Sequence, residues 1–205
     1  MKLFWSTRSP FARLVMIIAH EKGLTDKITT EQVVVSAAKP NANVMACNPL
    51  NKIPTLMLSD GTVLYDTRVI CEYFDVLGDG EKLCPTSGAA RWFTLCRQAQ
   101  GIGLLDLLVG WLRERSKAVD AQDPELNSAL SLKLHCMLDK WEETAEHISG
   151  LPFDFSHAAI GAALGYADFR FGDENWREGH PNLAALYQAI SARASFRATE
   201  HKDAY

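Results

Sequence analysis

Residues Asn48–Asp66 read NPLNKIPTLMLSDGTVLYD, and what the first part of the chain can be turns on this stretch. Two strand-like runs, Thr55–Leu58 and Thr62–Tyr65, flank Ser59-Asp60-Gly61, and Asp-Gly between apolar runs is a strong signal for an antiparallel hairpin. Pro54 heads the first run. Lacking an N–H to give to a ladder, it belongs at an edge or in an unusual turn. The second run passes straight into TRVICEYFDVLG, where Val69, Ile70, Tyr73 and Phe74 recur at helical spacing on one expected side before Gly78.

Working back from there, ITTEQVVV is rich in β-branched residues and reads as a strand, followed by a polar stretch, Ser36–Ala46, that holds Lys39 and Pro40. Lys2–Trp5 is a short apolar run bounded by hydroxyl residues, as a buried strand is. From Phe11, within STRSPFAR, apolar residues through Ala19 repeat near helical spacing until Gly23, a helix stop. The order β-α-β-loop-β-β-α makes residues 1–78 an α/β domain. Residues 79–88, rich in Gly, Pro and polar side chains, read as a linker.

Working forward, residues 89–205 are almost wholly helical in pattern, with Pro124 and Pro181 placed as first-turn prolines and a Gly-Leu-Pro break near residue 151. This half is an all-α domain. The 205 residues are 47% hydrophobic, enough for a real core. Lys and Arg number 21 against 25 acidic residues and are scattered, which argues against nucleic acid as a partner. No run of about 18 apolar residues suits a bilayer and no leader pattern is visible, so the expected place is the cytoplasm, with no membrane partner. The five cysteines contain no Cys-x-x-Cys pair and read as reduced packing residues, without a zinc site or other metal centre.

Three junctions carry candidate chemistry. Ser9-Pro10 opens a helix: the hydroxyl suits capping, and the same helix end, with its free N–H groups and partial positive charge, favours an anion such as a thiolate. Ser6 and Thr7 are rival hydroxyls. In NPLNKIPTL, a cis Ile53–Pro54 bond would turn the N–H and C=O of Ile53 toward an extended peptide. In LYDTR, Asp66 and Thr67 lie at a helix start, where Thr67 and N–H groups suit a carboxylate and Asp66 suits an ammonium.

The chain resembles the cytosolic glutathione transferases over essentially its whole length. SPFARLVMIIAHEKGL resembles the family's catalytic Ser/Cys segment, NPLNKIPTL its Asn-Pro-x-x-Lys-Val-Pro-x-Leu loop, and LYDTRVICEYF its Leu-x-Glu-Ser-x-x-Ile-x-x-Tyr segment; LGYADFRF and ISARASF are similar to later motifs. The resemblance implies a thioredoxin-like α/β N-terminal domain plus an all-α helical domain, a cis Pro54 and a homodimer. It implies glutathione as co-substrate, no metal, and conjugation of the kind used in detoxification.

Ser9 matches the residue that activates the glutathione sulfur in bacterial-type serine members. Where cysteine members form a mixed disulfide, serine cannot, so thiolate stabilisation is expected. By the same resemblance Asp66 and Thr67 meet the γ-glutamyl end, Ile53 before Pro54 pairs with the cysteinyl main chain, and Lys52 or Lys39 neutralises the glycine carboxylate. Phe11 is placed with the glutathione-binding residues and also on the electrophile wall. A small hydrophobic electrophile is expected between the domains, against Phe11, Trp111, Arg115 and Tyr205.

Three departures from the family pattern stand out. Asp66 replaces Glu and Thr67 replaces Ser, keeping the charge and the hydroxyl. Ser156–Ala159 stands where a Ser/Thr-x-x-Asp capping box is expected, so Ser156 is expected to cap without a reciprocal partner. Ala194 replaces proline. A non-catalytic binding or regulatory module of the same fold, and a glutathione-dependent isomerase or dehalogenase, stay open at this level.

Overall fold

In the computed structural model, which describes residues 1–36 and 38–203, Lys2–Trp5 forms β1. The helix that follows, α1 (Pro10–Glu21), starts at Ser9, whose hydroxyl accepts the Ala12 N–H at 3.2 Å, and has proline in its first turn. It ends before Gly23, which takes φ +62°, a left-handed value that glycine adopts without a Cβ penalty. A parallel neighbour to β1 needs such a crossover. β2 (Thr29–Gln32) is that neighbour, with Lys2 opposite Thr29 and Trp5 opposite Gln32. The polar stretch expected as loop contains one short helix, α2 (Ala42–Met45), capped by Asn41.

The hairpin forms as β3 (Thr55–Met57) and β4 (Val63–Leu64), giving a four-stranded sheet in the order β2-β1-β3-β4. It is shorter than the expected runs because Leu58 and Thr62 are already spent on the turn: the Leu58 N–H donates to Thr62 O at 2.8 Å, and Gly61 sits at φ +88°. α3 (Thr67–Leu77) packs beside α1. Its buried face is Thr67, Ile70, Cys71, Phe74 and Asp75. Val69, expected inside, is exposed, and Tyr73 is half-buried. The helix is turned so that Asp75 faces inward, where it is needed.

Asp75 organises what reads as a linker. Its carboxylate accepts the N–H groups of Leu83 at 2.8 Å and Cys84 at 3.2 Å and lies 3.4 Å from Lys22 Nζ, with both side chains almost wholly buried. Lys22 Nζ also donates to Glu81 O at 2.8 Å. At Gly78 the chain crosses Lys22 so closely that an added Cβ would lie 2.5 Å from Lys22 Cβ. The segment is therefore pinned, not free.

Contacts divide the chain into two compact units, Met1–Arg91 together with the stretch from Arg193, and Trp92–Ala192. The second unit holds most of α4 (Gly88–Arg115), then α5 (Pro124–Glu142), α6 (Ala145–Ser149), α7 (Phe155–Arg170) and α8 (Pro181–Ser191). Read as one helix, the pattern from Pro124 breaks after Glu142. There Thr144 draws the Trp141 carbonyl to its own N–H, at 3.1 Å, and to its hydroxyl, at 3.3 Å, which ends the i→i+4 ladder. α7 is buried on every side from Phe155 to Ala167, which is why its sequence is apolar or small all round. Gly101 of α4 lies against it; a Cβ there would meet Ala159 backbone at 2.7 Å.

The cap of α7 corrects the expectation for Ser156. The N-cap is Asp154, and His157 closes a capping box with it. Asp154 Oδ1 accepts the N–H groups of Ser156 at 2.9 Å and His157 at 3.1 Å, and the Ser156 hydroxyl also bonds to it. Ser156 thus supports the cap from inside the helix, and Ala159 has no capping part to play. Arg193 takes an extended conformation, breaks the helical pattern that opens at Pro181, and leads to α9 (Ala194–Ala198), which packs on α1 in the first unit.

Candidate functional site

The sheet register brings the three junctions to one end of the sheet. Phe4 of β1 faces Thr55 of β3 in antiparallel register, so the end of β1 and the start of β3 coincide. Leu56 faces Leu64, also antiparallel, so β4 runs out to Asp66 at that same end. β2, parallel to β1, leads there too, toward Lys39. Ser9, Ile53-Pro54, Asp66-Thr67 and the Lys39 loop therefore share one edge of the fold.

Ser9 is reached through a tight turn. Its N–H donates to Ser6 O at 3.1 Å, and the Arg8 N–H donates to Ser6 Oγ at 3.3 Å. Ser6 is buried with its hydroxyl facing that turn, and the Thr7 hydroxyl donates to Lys202 O at 3.0 Å. Ser9, half-buried like Thr7, is the hydroxyl at the head of α1, accepting one backbone N–H and keeping its own proton to give. Phe11, one turn on, is half-buried.

The Ile53–Pro54 bond is cis. Among the described residues, neither the N–H nor the carbonyl of Ile53 makes a hydrogen bond, while its side chain packs on Phe4, Val33 and Val44. Two asparagines that the sequence reading passed over hold this loop. Asn48, buried, donates to Thr55 Oγ1 at 2.9 Å and Lys52 O at 3.3 Å and accepts the Leu50 N–H at 3.1 Å. Asn51, at φ +52°, accepts the Asn41 N–H at 2.9 Å and donates to Ser36 O at 3.3 Å. Their signal was present: Asn before Pro starts an Asx turn, and Asn tolerates left-handed φ. The side chains of Lys52 and Lys39 are exposed.

At the third junction Asp66 is the N-cap of α3, its carboxylate accepting the Arg68 N–H at 3.0 Å. Thr67, buried, follows as the first helical residue, where N–H groups have no partner within the helix. One turn on, burial pushes the Cys71 thiol far up, with Asp66 and Asp75 adding to the effect, so it stays protonated and is no nucleophile. No cluster of His, Cys, Asp and Glu suited to a metal occurs among the described residues, and no helix there is long and apolar enough to cross a membrane.

Two of the residues expected on the electrophile side, Trp111 and Arg115, lie in the helical unit. Trp111 is fully buried, its ring stacked on Phe171 at 4.9 Å and its Nε1 donating to Asn127 at 2.7 Å. Enclosed this way, it is core and presents no free surface to a ligand. Arg115 lies 4.2 Å over that ring and pairs with Asp173 and Glu174, so its guanidinium is committed within its own unit. Tyr205 lies outside the described residues.

Residues 8–77 match the profile of the glutathione S-transferase N-terminal domain. A glutathione transferase family member from Pseudomonas fluorescens Pf-5, solved with bound glutathione, is 36% identical, superposes with a TM-score of 0.95, and the match covers 98% of each chain. The chain belongs to the glutathione transferase family. A second structure of a Pseudomonas fluorescens Pf-5 family member, with bound S-(propanoic acid)-glutathione, is 35% identical with a TM-score of 0.91, covering 98% of this chain and 100% of that one. The chain is also 26% identical, over 98% of both lengths, to the uncharacterized GST-like protein YibF of Escherichia coli (strain K12). The four-stranded mixed sheet with its helices is the thioredoxin-like N-terminal domain of that family's fold, and the helical unit is its C-terminal part.

Proposed function

We propose that this protein is a glutathione transferase in which the Ser9 hydroxyl stabilises the glutathione thiolate for attack on a small hydrophobic electrophile. The observation that carries the reading is the open peptide unit of Ile53, at the same sheet end as Ser9 and the start of α3. A peptide laid antiparallel there gives its cysteinyl main chain both partners it needs. Its γ-glutamyl carboxylate then meets Thr67 and the free N–H groups of α3, and its ammonium meets Asp66. Lys52 or Lys39 takes the glycine carboxylate.

A free thiol with a pKa of about 8.5 must fall by one to two units to be mostly thiolate at neutral pH, worth about 1.4–2.8 kcal/mol. One charge-assisted hydrogen bond from Ser9 and the positive end of α1 supply that much. The relative solved with S-(propanoic acid)-glutathione holds a glutathione that bears a substituent on sulfur, which favours S-conjugation as the chemistry here.

Exposed apolar residues support a homodimer: Val69 and Val76 on α3, and Trp92 and Phe93 on α4. Among the described residues the cysteines form no disulfide, which suits the cytoplasm. The deciding experiment titrates glutathione calorimetrically into the native protein and into Ser9→Ala, with thiolate absorbance followed against pH. Binding by both, with thiolate at neutral pH only in the native protein, is expected; no heat from the native protein would end the reading.

A further inference from the structure

The turn that delivers Ser9 is gripped from the far end of the sequence. Thr7 and Arg8 are its two central residues, closed by the Ser9 N–H on Ser6 O. The Thr7 hydroxyl donates to Lys202 O at 3.0 Å, His201 Nδ1 lies 3.0 Å from Thr7 O, and Arg8 Nε lies 3.0 Å from Asp203 Oδ1. A carbonyl only accepts, so His201 carries its proton on Nδ1 and donates it to Thr7.

The path that brings these residues there is continuous. Arg193 and Ser195 bond to Glu21, the Phe196 carbonyl accepts from Arg13, and 201–203 meet Thr7 and Arg8. As residue numbers rise from 193 to 203, their partners move from 21 through 13 to 7 and 8. The segment thus runs antiparallel along α1, anchored at its last turn, and finishes on the turn before its first.

We propose that His201 is a positioning residue for Ser9, holding the Ser6–Ser9 turn, with Lys202 and Asp203, in the orientation that aims the hydroxyl at the glutathione sulfur. The proposal rests on the glutathione reading above. A four-residue turn has few bonds of its own, and a hydroxyl at its last position swings with the peptide planes of the two residues before it. Fixing the Thr7 carbonyl and hydroxyl together fixes both sides of that residue. The ordering entropy is met during folding, not when the thiolate forms.

The test uses the full chain and glutathione alone. His201→Ala and Thr7→Val each remove one grip, and each is expected to raise the pKa of bound glutathione by about one unit, a tenfold loss of thiolate at a fixed pH below it. Glutathione affinity, set mainly by Ile53, Asp66 and Thr67, is expected to change less than about threefold. His201→Asn, whose amide N–H stands close to where Nδ1–H stood, is expected to restore the thiolate, and His201→Gln is not.

A general loss of packing would lower melting temperature in all three His201 variants without that split. The proposal is overturned if Ser9→Ala abolishes the thiolate while His201→Ala and Thr7→Val leave it unchanged, or if His201→Asn behaves as His201→Ala. Failure of the native protein to bind glutathione would overturn the underlying reading instead.

Discussion

Ser9 has two tasks that one substitution can separate. Its oxygen caps α1 by accepting the Ala12 N–H, and its proton is what the thiolate needs. Ser9→Ala removes both, and about 0.5–2 kcal/mol of stability should go with the cap. Ser9→Asp keeps a good cap but sets a carboxylate against the sulfur. Its denaturation midpoint is expected to stay near that of the native protein while bound glutathione titrates higher than free glutathione; a thiolate retained in Ser9→Asp would show that another group stabilises it. Lys22 and Asp75 pose a different residue-scale question. Both are almost wholly buried, and Asp75 also holds two backbone N–H groups. Asp75→Ala leaves a buried ammonium without its counter-charge, and urea denaturation should show a loss of about 3–5 kcal/mol. Because Leu83 and Cys84 lose their acceptor as well, adding Lys22→Met should recover only part of it.

At the scale of elements, helix ends respond to pH. Burial pushes the Asp154 carboxyl up, but hydrogen bonds from His157 and Ser156 outweigh it and hold the group below its ordinary 3.8. Glu21 behaves alike: burial raises it, and Arg193 and Ser195 bring it below its ordinary 4.5. A depressed carboxyl contributes stability that is complete above the unfolded value and is lost as pH falls through the folded one. Unfolding free energy is therefore expected to hold near neutrality and to decline as pH drops below about 4.5, through both Glu21 and Asp154. Asp154→Asn, measured by denaturation across that range, should flatten part of the decline. The same cap shows why a motif was misplaced by two residues. Ser156 and Asp154 are both good capping types, and only the path of the chain after Pro152 selects which of them sits outside the helix.

For the whole molecule, the returning segment from Arg193 makes the first unit discontinuous in sequence. Deleting that segment should strip protection from amides of α1 in hydrogen exchange and leave α5 and α7 as protected as before; uniform loss across both units would contradict the division. Much of the fold was legible along the chain. Short apolar or β-branched runs, helical apolar spacing, Asp-Gly between strands, Ser-Pro at a helix start and Gly23 beyond its end are local signals, since each acts through bonds within a few residues. The same locality made Ser9, Ile53-Pro54 and Asp66-Thr67 readable as junctions. Trp111 and Arg115 were legible as an aromatic and a cation but not as a buried ring and its clamp, because burial depends on what packs around them. The amino-acid sequence by itself determined the elements, their order and the chemistry at each junction. Only the tertiary structure decided that Asp75 faces Lys22, that Asp154 caps α7, and that residues 201–203 grip the turn before Ser9. Those contacts join residues up to 195 positions apart, and a bond at such a separation leaves no periodicity in the chain on either side of it.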